Sequence, residues 1–93
     1  MRRDTSDDDR LALIEADRLF DSVLKGLGHT GATMAERLEA IKSWHLSNIE
    51  DVWQAHKLRN RIVHEPGTRF SHLDVEASVK SYETALKELG TLE

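Results

Sequence analysis

Residues 48–66 read NIEDVWQAHKLRNRIVHEP, and this segment decides the fold of the chain. A helix advances about 100° per residue, and that step places most apolar side chains of the segment on one side. Ser47 and Glu50 have capping-box spacing at its start, and Pro66 ends it because the residue before a proline disfavours the helical conformation. One amphipathic helix is therefore predicted. Its apolar side carries Ile49, Val52, Trp53, Ala55, Ile62 and Val63, and its polar side Glu50, Gln54, Lys57 and Arg61.

Polar residues interrupt the apolar side of this predicted helix. Arg59 and Asn60 lie within it together with His56. His64 lies at its edge, four residues after Asn60 and therefore one turn further along. Arginine and asparagine rarely occupy buried positions without hydrogen-bonding partners. One interpretation is structural: a carboxylate from another helix holds Arg59, while Asn60 and His56 satisfy helix ends or loop backbone.

A second interpretation makes this face the wall of a site. A guanidinium presents five donors in a rigid fork that suits phosphate, and an imidazole can move a proton at neutral pH. Arg59 and His64 then supply the groups needed for phosphodiester chemistry that uses no metal. The residue pattern leaves both interpretations open.

The same residues resemble a known family motif. The segment 59–64, RNRIVH, matches the RNxxxH form of the Arg-x4-6-His motif of HEPN domains. Trp53, the AHK triplet at 55–57 and the HE pair at 64–65 are also similar to a group of small bacterial HEPN-like proteins. The resemblance covers about residues 13–89, nearly the whole chain. It implies a domain of four or five helices, of the kind prokaryotes use widely as RNA-cleaving toxins and defence nucleases.

The resemblance also implies roles for individual residues. HEPN nucleases form two-fold dimers that bring both motifs into one cleft. Arg59 would hold the scissile phosphate, His64 would transfer protons or position the 2'-hydroxyl, and Asn60 would orient His64 or contact phosphate. The products would be a 2',3'-cyclic phosphate and a 5'-hydroxyl, with no metal and no cofactor. The implied partners are RNA, a second copy of the chain as a homodimer, and an antitoxin protein; the alternative is a noncatalytic dimeric module that binds a nucleotide or a protein partner.

The first predicted helix runs from Asp9 to about Leu27 and supplies two acidic candidates. Asp17 and Asp21 lie one turn apart on the flank of its apolar side and are the predicted partners of Arg59. In the structural interpretation they are salt-bridge acids, and in the functional one they orient the arginine. The core side of this helix consists of Leu13, Ala16, Phe20, Val23, Leu24 and Leu27.

Two further helices complete the predicted fold. Thr33 and Glu36 form a capping-box pattern before a short helix, and Ser71 and Asp74 can cap the last helix, which Gly90 ends. No strand pattern occurs along the chain. Four helices with short connections predict an all-α, antiparallel four-helix bundle of HEPN-like form. The apolar stripe of the last helix consists of Val75, Val79, Tyr82, Leu86 and Leu89.

The chain is predicted to hold a single domain at residues 9–90 after a flexible, highly charged tail at residues 1–8. The rings of Trp44 and Trp53 are predicted to be core, with Trp44 closing the end of the bundle. With 93 residues, 39% of them apolar, the core is small for a domain that stands alone, and dimerisation would add buried surface.

Composition narrows the function classes. A net charge of -4 argues against broad nonspecific binding of nucleic acid but not against a local basic site. The absence of cysteine excludes a thiolate zinc site and favours the reducing cytoplasm. No apolar run is long enough to span a membrane. His56 and His64 lie about 12 Å apart along a helix, too far to share one ion, so no metal site is predicted.

Overall fold

The computed structural model describes residues 6–41, 46–65 and 67–90, which form four packed helices and no strand. The helices are α1 (Ser6–Gly26), α2 (Met34–Glu39), α3 (Ile49–His64) and α4 (His72–Glu88). The predicted all-helical class is confirmed. None of the described helices combines the length and apolar character that a membrane span requires.

α1 begins three residues earlier than predicted, at Ser6 rather than at Asp9. Its first turn contains the three acids at 7–9. Negative side chains at a helix N-terminus interact favourably with the exposed backbone N–H groups, which explains the extension. The predicted helix start is therefore three residues too late. Residues 1–5 lie outside the described part of the chain, and the flexibility predicted for residues 1–8 stays a prediction.

α3 runs in the opposite direction to both α1 and α4. Near the start of α1, Arg10 Nη1 donates to the carbonyl oxygen of Ile62 near the end of α3, at 2.9 Å. Before the start of α3, the Ser47 hydroxyl donates to Glu88 at the end of α4, at 2.8 Å. The predicted capping box of Ser47 is therefore wrong. Ser47 bonds α4 instead, and Asn48 occupies the N-cap position without a side-chain cap bond.

α1 and α4 run in the same direction. Asp9 and His72 meet near the two N-termini, with 2.8 Å between Asp9 Oδ1 and His72 Nδ1. Further along both helices, the ring of Phe20 packs against that of Tyr82 at a centroid distance of 5.3 Å. The three longer helices therefore surround one core. The short helix α2 packs on this core near the C-terminal end of α1.

Two of the predicted helix caps are present. Ser71 and Asp74 form the full reciprocal capping box at the start of α4. Thr33 accepts a hydrogen bond from the backbone N–H of Glu36, but the Glu36 carboxylate accepts from Ala32 rather than from Thr33. The α2 box is thus shifted by one residue on one side, and it still satisfies two backbone donors.

The core is built largely from the predicted apolar faces. Leu27 and Val63 are exceptions, with 51% and 42% of their surface exposed. Leu27 follows the last residue of α1 and Val63 lies in the last turn of α3, so both lie at helix ends where the packing stops. Trp53 is half-buried against the core, and Trp44 lies outside the described residues. The fully buried large side chains are Leu13, Phe20, Leu24, Leu38, Leu46, Val52 and Tyr82.

The contact between α1 and α4 makes stability depend on pH. The hydrogen bond to Asp9, followed by the charge of Asp9, raises the pKa of His72 above 6.5. A raised pKa stabilises the folded chain below pH 6.5, and this stabilisation is lost as the pH rises through the folded-state value. We expect the difference in urea midpoint between the native chain and His72→Gln to be largest near pH 6 and to shrink towards pH 9. A difference that stays constant over this range would contradict the contribution of a protonated His72.

Candidate functional site

A cleft of about 420 Å³ opens between α1, α2 and α3. Both acidic candidates of α1 and three of the four polar candidates of α3 line it, so the tertiary structure brings these predicted residues together. His64 is not among the lining residues. The cleft, called the α1–α3 cleft below, is lined by Asp17, Asp21, Thr33, Met34, Ala35, His56, Arg59 and Asn60.

A buried carboxylate organises the floor of this cleft. Asp17 Oδ2 lies 2.8 Å from Nδ1 of His56 and accepts a hydrogen bond from the hydroxyl of Tyr82 at 2.5 Å. Asp17 and His56 are 5% and 7% exposed. Because an ionised carboxylate only accepts hydrogen bonds, His56 must carry its proton on Nδ1. The Asp17 charge is therefore compensated by donors from α3 and α4.

Tyr82 is a site residue that the sequence pattern did not reveal. Its ring fits the apolar stripe of α4, and only its hydroxyl contacts the site. Burial, followed by the charge of Asp17, raises the pKa of Tyr82 far above its ordinary value. The hydroxyl therefore keeps its proton and remains a donor to Asp17. The general rule that a buried tyrosine hydroxyl needs a partner is the signal that would have indicated this role.

Arg59 lies at the wall of the cleft, partly open to solvent. Its Nη1 donates to Asn60 Oδ1 at 2.9 Å, and its Nε lies 3.7 Å from Asp17 Oδ1. The Nε is buried and has no hydrogen-bond partner among the described residues. The side chain is 28% exposed, so the guanidinium is neither sealed in the core nor fully hydrated. The predicted ion pair with Asp17 is present, at a distance too long for a hydrogen bond.

Asp21 was predicted to pair with Arg59, and this prediction is wrong. Asp21 accepts two hydrogen bonds from Arg37 of α2, from Nε at 2.6 Å and from Nη2 at 2.8 Å. Arg37 Nη1 also donates to the carbonyl oxygen of Gly31 at 2.6 Å. The hydrogen bond to Asp21 raises the pKa of Arg37. Arg37 offers Asp21 a bidentate geometry that Arg59 does not, and it holds the loop before α2 against α1.

His64 lies apart from the other predicted site residues. It is exposed, at the last position of α3. Five residues along a helix turn it about 140° away from Arg59. The predicted contact of Asn60 with His64 does not form within one copy: Asn60 Nδ2 lies 3.4 Å from Nε2 of His56 instead. Asn60 has a histidine one turn away on either side, and the buried one contacts it.

The described residues also limit the chemistry at this cleft. No group of three or more His, Asp or Glu side chains within residues 6–41, 46–65 and 67–90 is arranged to hold a metal ion. Arg59 and Asn60 instead present N–H donors beside two carboxylates that are already compensated. Such an arrangement can bind a small anionic group.

The fold and the site define a small all-helical protein in which polar side chains from three helices form a cluster beside a cleft. No family model, curated protein or solved structure matches the chain. The likeness to HEPN domains therefore remains a prediction from the RNxxxH motif at residues 59–64.

Proposed function

We propose that the chain is a metal-independent endoribonuclease of HEPN type, with a composite active site formed by two copies in a two-fold dimer. One observation carries the proposal: Arg59 is held at the wall of a cleft with its guanidinium partly open, beside Asn60. A guanidinium in this position suits a phosphate group of RNA. The proposal places the protein in the cytoplasm, as a toxin or defence nuclease with an antitoxin protein as a further partner.

The proposed reaction is an intramolecular transfer within RNA. The ribose 2'-oxygen attacks the adjacent phosphorus and loses its proton to a base, while the bond from phosphorus to the 5'-oxygen breaks. An acid donates a proton to the departing 5'-oxygen, giving a 2',3'-cyclic phosphate and a 5'-hydroxyl. Arg59 and Asn60 stabilise the charge on the phosphoryl oxygens. One imidazole accepts the first proton and another donates the second.

The dimer answers a requirement that one copy does not meet. His64 is exposed and lies outside the lining of the α1–α3 cleft. A two-fold contact, the commonest oligomer geometry, would place the motifs of two copies against each other and supply two imidazoles. The same contact would bury additional surface for a chain of only 93 residues.

A second candidate is a noncatalytic HEPN-like dimeric module that binds a nucleotide or a protein partner at the same cleft. The observation that favours it is the distance of His64 from the cleft within one copy. In this case Arg59 and Asn60 bind a phosphate group, and no proton transfer follows.

We expect the purified protein to cleave RNA in excess EDTA. Arg59→Ala and His64→Ala should each lower the cleavage rate about 100-fold or more, the usual cost of removing one group that acts on transition-state charge or proton transfer. The matched control is Lys57→Ala, because Lys57 is exposed on the same helix and does not line the cleft. Gel analysis of end-labelled RNA gives the rates, and circular dichroism verifies folding.

The outcomes separate the two candidates. Cleavage that persists in folded Arg59→Ala would contradict the nuclease proposal and indicate a contaminating enzyme. Absence of cleavage, together with nucleotide monophosphate binding that Arg59→Ala removes, would establish the noncatalytic module. Absence of both would overturn the role of the cleft in phosphate binding.

A further inference from the structure

The polar contacts behind Arg59 form a directional chain. Asp17 can only accept, so His56 donates from Nδ1, and the neutral ring then keeps a lone pair on Nε2. That lone pair accepts from the amide nitrogen of Asn60, at 3.4 Å. The amide oxygen of Asn60 is thereby turned towards Arg59, whose Nη1 donates to it at 2.9 Å. Each donor faces an acceptor at every step.

We infer that His56 is a positioning residue, which acts through Asn60 to set the orientation of the Arg59 guanidinium in the α1–α3 cleft. The identity of the ligand that Arg59 binds rests on the proposed function, in which it is a phosphate group of RNA. The orientation itself depends on the hydrogen-bond order alone.

The opposite order of donors and acceptors would break this series of hydrogen bonds. If His56 carried its neutral-state proton on Nε2, the Asp17 carboxylate would face a bare Nδ1 lone pair. Asn60 would then have to turn its oxygen towards His56 and its amide hydrogens towards Arg59, where donor would meet donor. Facing lone pairs and facing donors are both unfavourable in a buried site. The buried Asp17 therefore determines, through His56, that the amide oxygen of Asn60 faces Arg59.

Two further facts argue for a role beyond packing. His56 is 7% exposed, so its ring is held on all sides, whereas Arg59 at the end of the chain is partly open. The Arg59 Nε has no hydrogen-bond partner among the described residues, so the hydrogen bond from Arg59 Nη1 to Asn60 is the one that orients the guanidinium. Removing the acceptor on His56 therefore frees Asn60 to turn and Arg59 to move.

The first test reads the ring protons of His56 by nitrogen NMR on the full chain. We expect the neutral ring to be the Nδ1–H tautomer in the native protein, with the signal assigned by its loss in His56→Gln. Asn60→Asp should place an acceptor opposite Nε2 and give a doubly protonated ring in the same measurement. An Nε2–H tautomer in the native chain, or an unchanged ring in Asn60→Asp, would overturn the inference.

The second test compares two substitutions that each keep one end of the imidazole. A glutamine side chain reaches the Nε2 end and offers an oxygen to Asn60, whereas an asparagine keeps the donor near Asp17 and leaves Asn60 without an acceptor. The readout is the mobility of the Arg59 Nε–H group in the unliganded protein, from nitrogen relaxation. We expect higher mobility in His56→Asn than in His56→Gln. Equal mobility in the two variants, at equal loss of stability, would indicate a purely structural role and overturn the inference.

Inorganic phosphate then serves as the probe of the cleft. The proposed order predicts about tenfold weaker phosphate binding in His56→Asn, equivalent to about 1.4 kcal/mol, and a smaller loss in His56→Gln. If the native protein neither binds phosphate nor cleaves RNA while the tautomer and mobility results hold, the proposed function fails and the positioning of Arg59 by His56 stands.

Discussion

Asp17→Ala is expected to lower the free energy of unfolding by about 2 to 6 kcal/mol, because each buried donor left without an acceptor costs about 1 to 3 kcal/mol. The substitution leaves the Tyr82 hydroxyl and the His56 Nδ1–H without their acceptor. It also removes the carboxylate nearest to the Arg59 guanidinium. Because domains of this size are stable by only about 5 to 15 kcal/mol, a large part of the stability is lost. Urea denaturation followed by circular dichroism measures the change.

Glu15→Ala is the matched control for this prediction. Glu15 is an exposed carboxylate on the same helix, so its loss should change the unfolding free energy by no more than about 0.5 kcal/mol. In Asp17→Ala/Tyr82→Phe the acceptor and one stranded donor are both removed, and the double variant should lose less than the sum of the single variants. A cost below about 1 kcal/mol for Asp17→Ala would show that the carboxylate does not organise the cleft.

Gly31→Ala is expected to lower the unfolding free energy by about 1 to 3 kcal/mol, because the residue has a backbone conformation that side-chain-bearing residues rarely adopt. Its φ is +150°, and an added Cβ would lie 2.9 Å from Cβ of Glu36 and 3.1 Å from the backbone nitrogen of Arg37. That nitrogen is bonded to the Thr33 carbonyl oxygen, so it cannot move without loss of a helix bond. The same substitution should loosen the contact of Arg37 with the Gly31 carbonyl oxygen.

Gly26→Ala is the control for Gly31→Ala. Gly26 is the last residue of α1, and apart from its chain neighbours and the backbone of its own helix no atom lies within 4 Å of an added Cβ. Alanine favours helix over glycine by up to about 1 kcal/mol, so this variant should be as stable as the native chain or more stable. Thermal and urea denaturation of the two variants gives the comparison. Equal stability of the two would show that the turn at Gly31 tolerates a side chain.

The helices themselves were predictable from residue order. The spacing of apolar residues located all four, and the Ser71 and Asp74 pattern correctly marked the start of α4. These features depend on contacts within a few residues of each other, which a sequence displays directly. The errors lie mainly at helix ends. Ser47 finds its partner in Glu88 on α4, so a long-range contact replaced the predicted local cap.

The candidate site was predictable only as a set of residues. The position of Arg59 and Asn60 on an otherwise apolar face indicated a polar contact, and Asp17 proved to be the nearby carboxylate. The pairing of Asp21 with Arg37 was not foreseen, because α2 is short and its approach to α1 depends on the intervening loop. Helical spacing gives the angular position of a side chain on its own helix. It does not indicate which neighbouring helix contacts that side chain.

The contrast between the two histidines has the same origin. Asn60 is flanked at four residues on either side by His56 and His64, and periodicity treats the two as equivalent. The residue order alone determined that this protein is all-helical and that a guanidinium, an amide and imidazoles share one helix. Only the tertiary structure decided that Asn60 contacts His56. The buried Asp17 requires a hydrogen-bond donor beside it, and His56 supplies that donor, whereas His64 lies at the exposed end of α3.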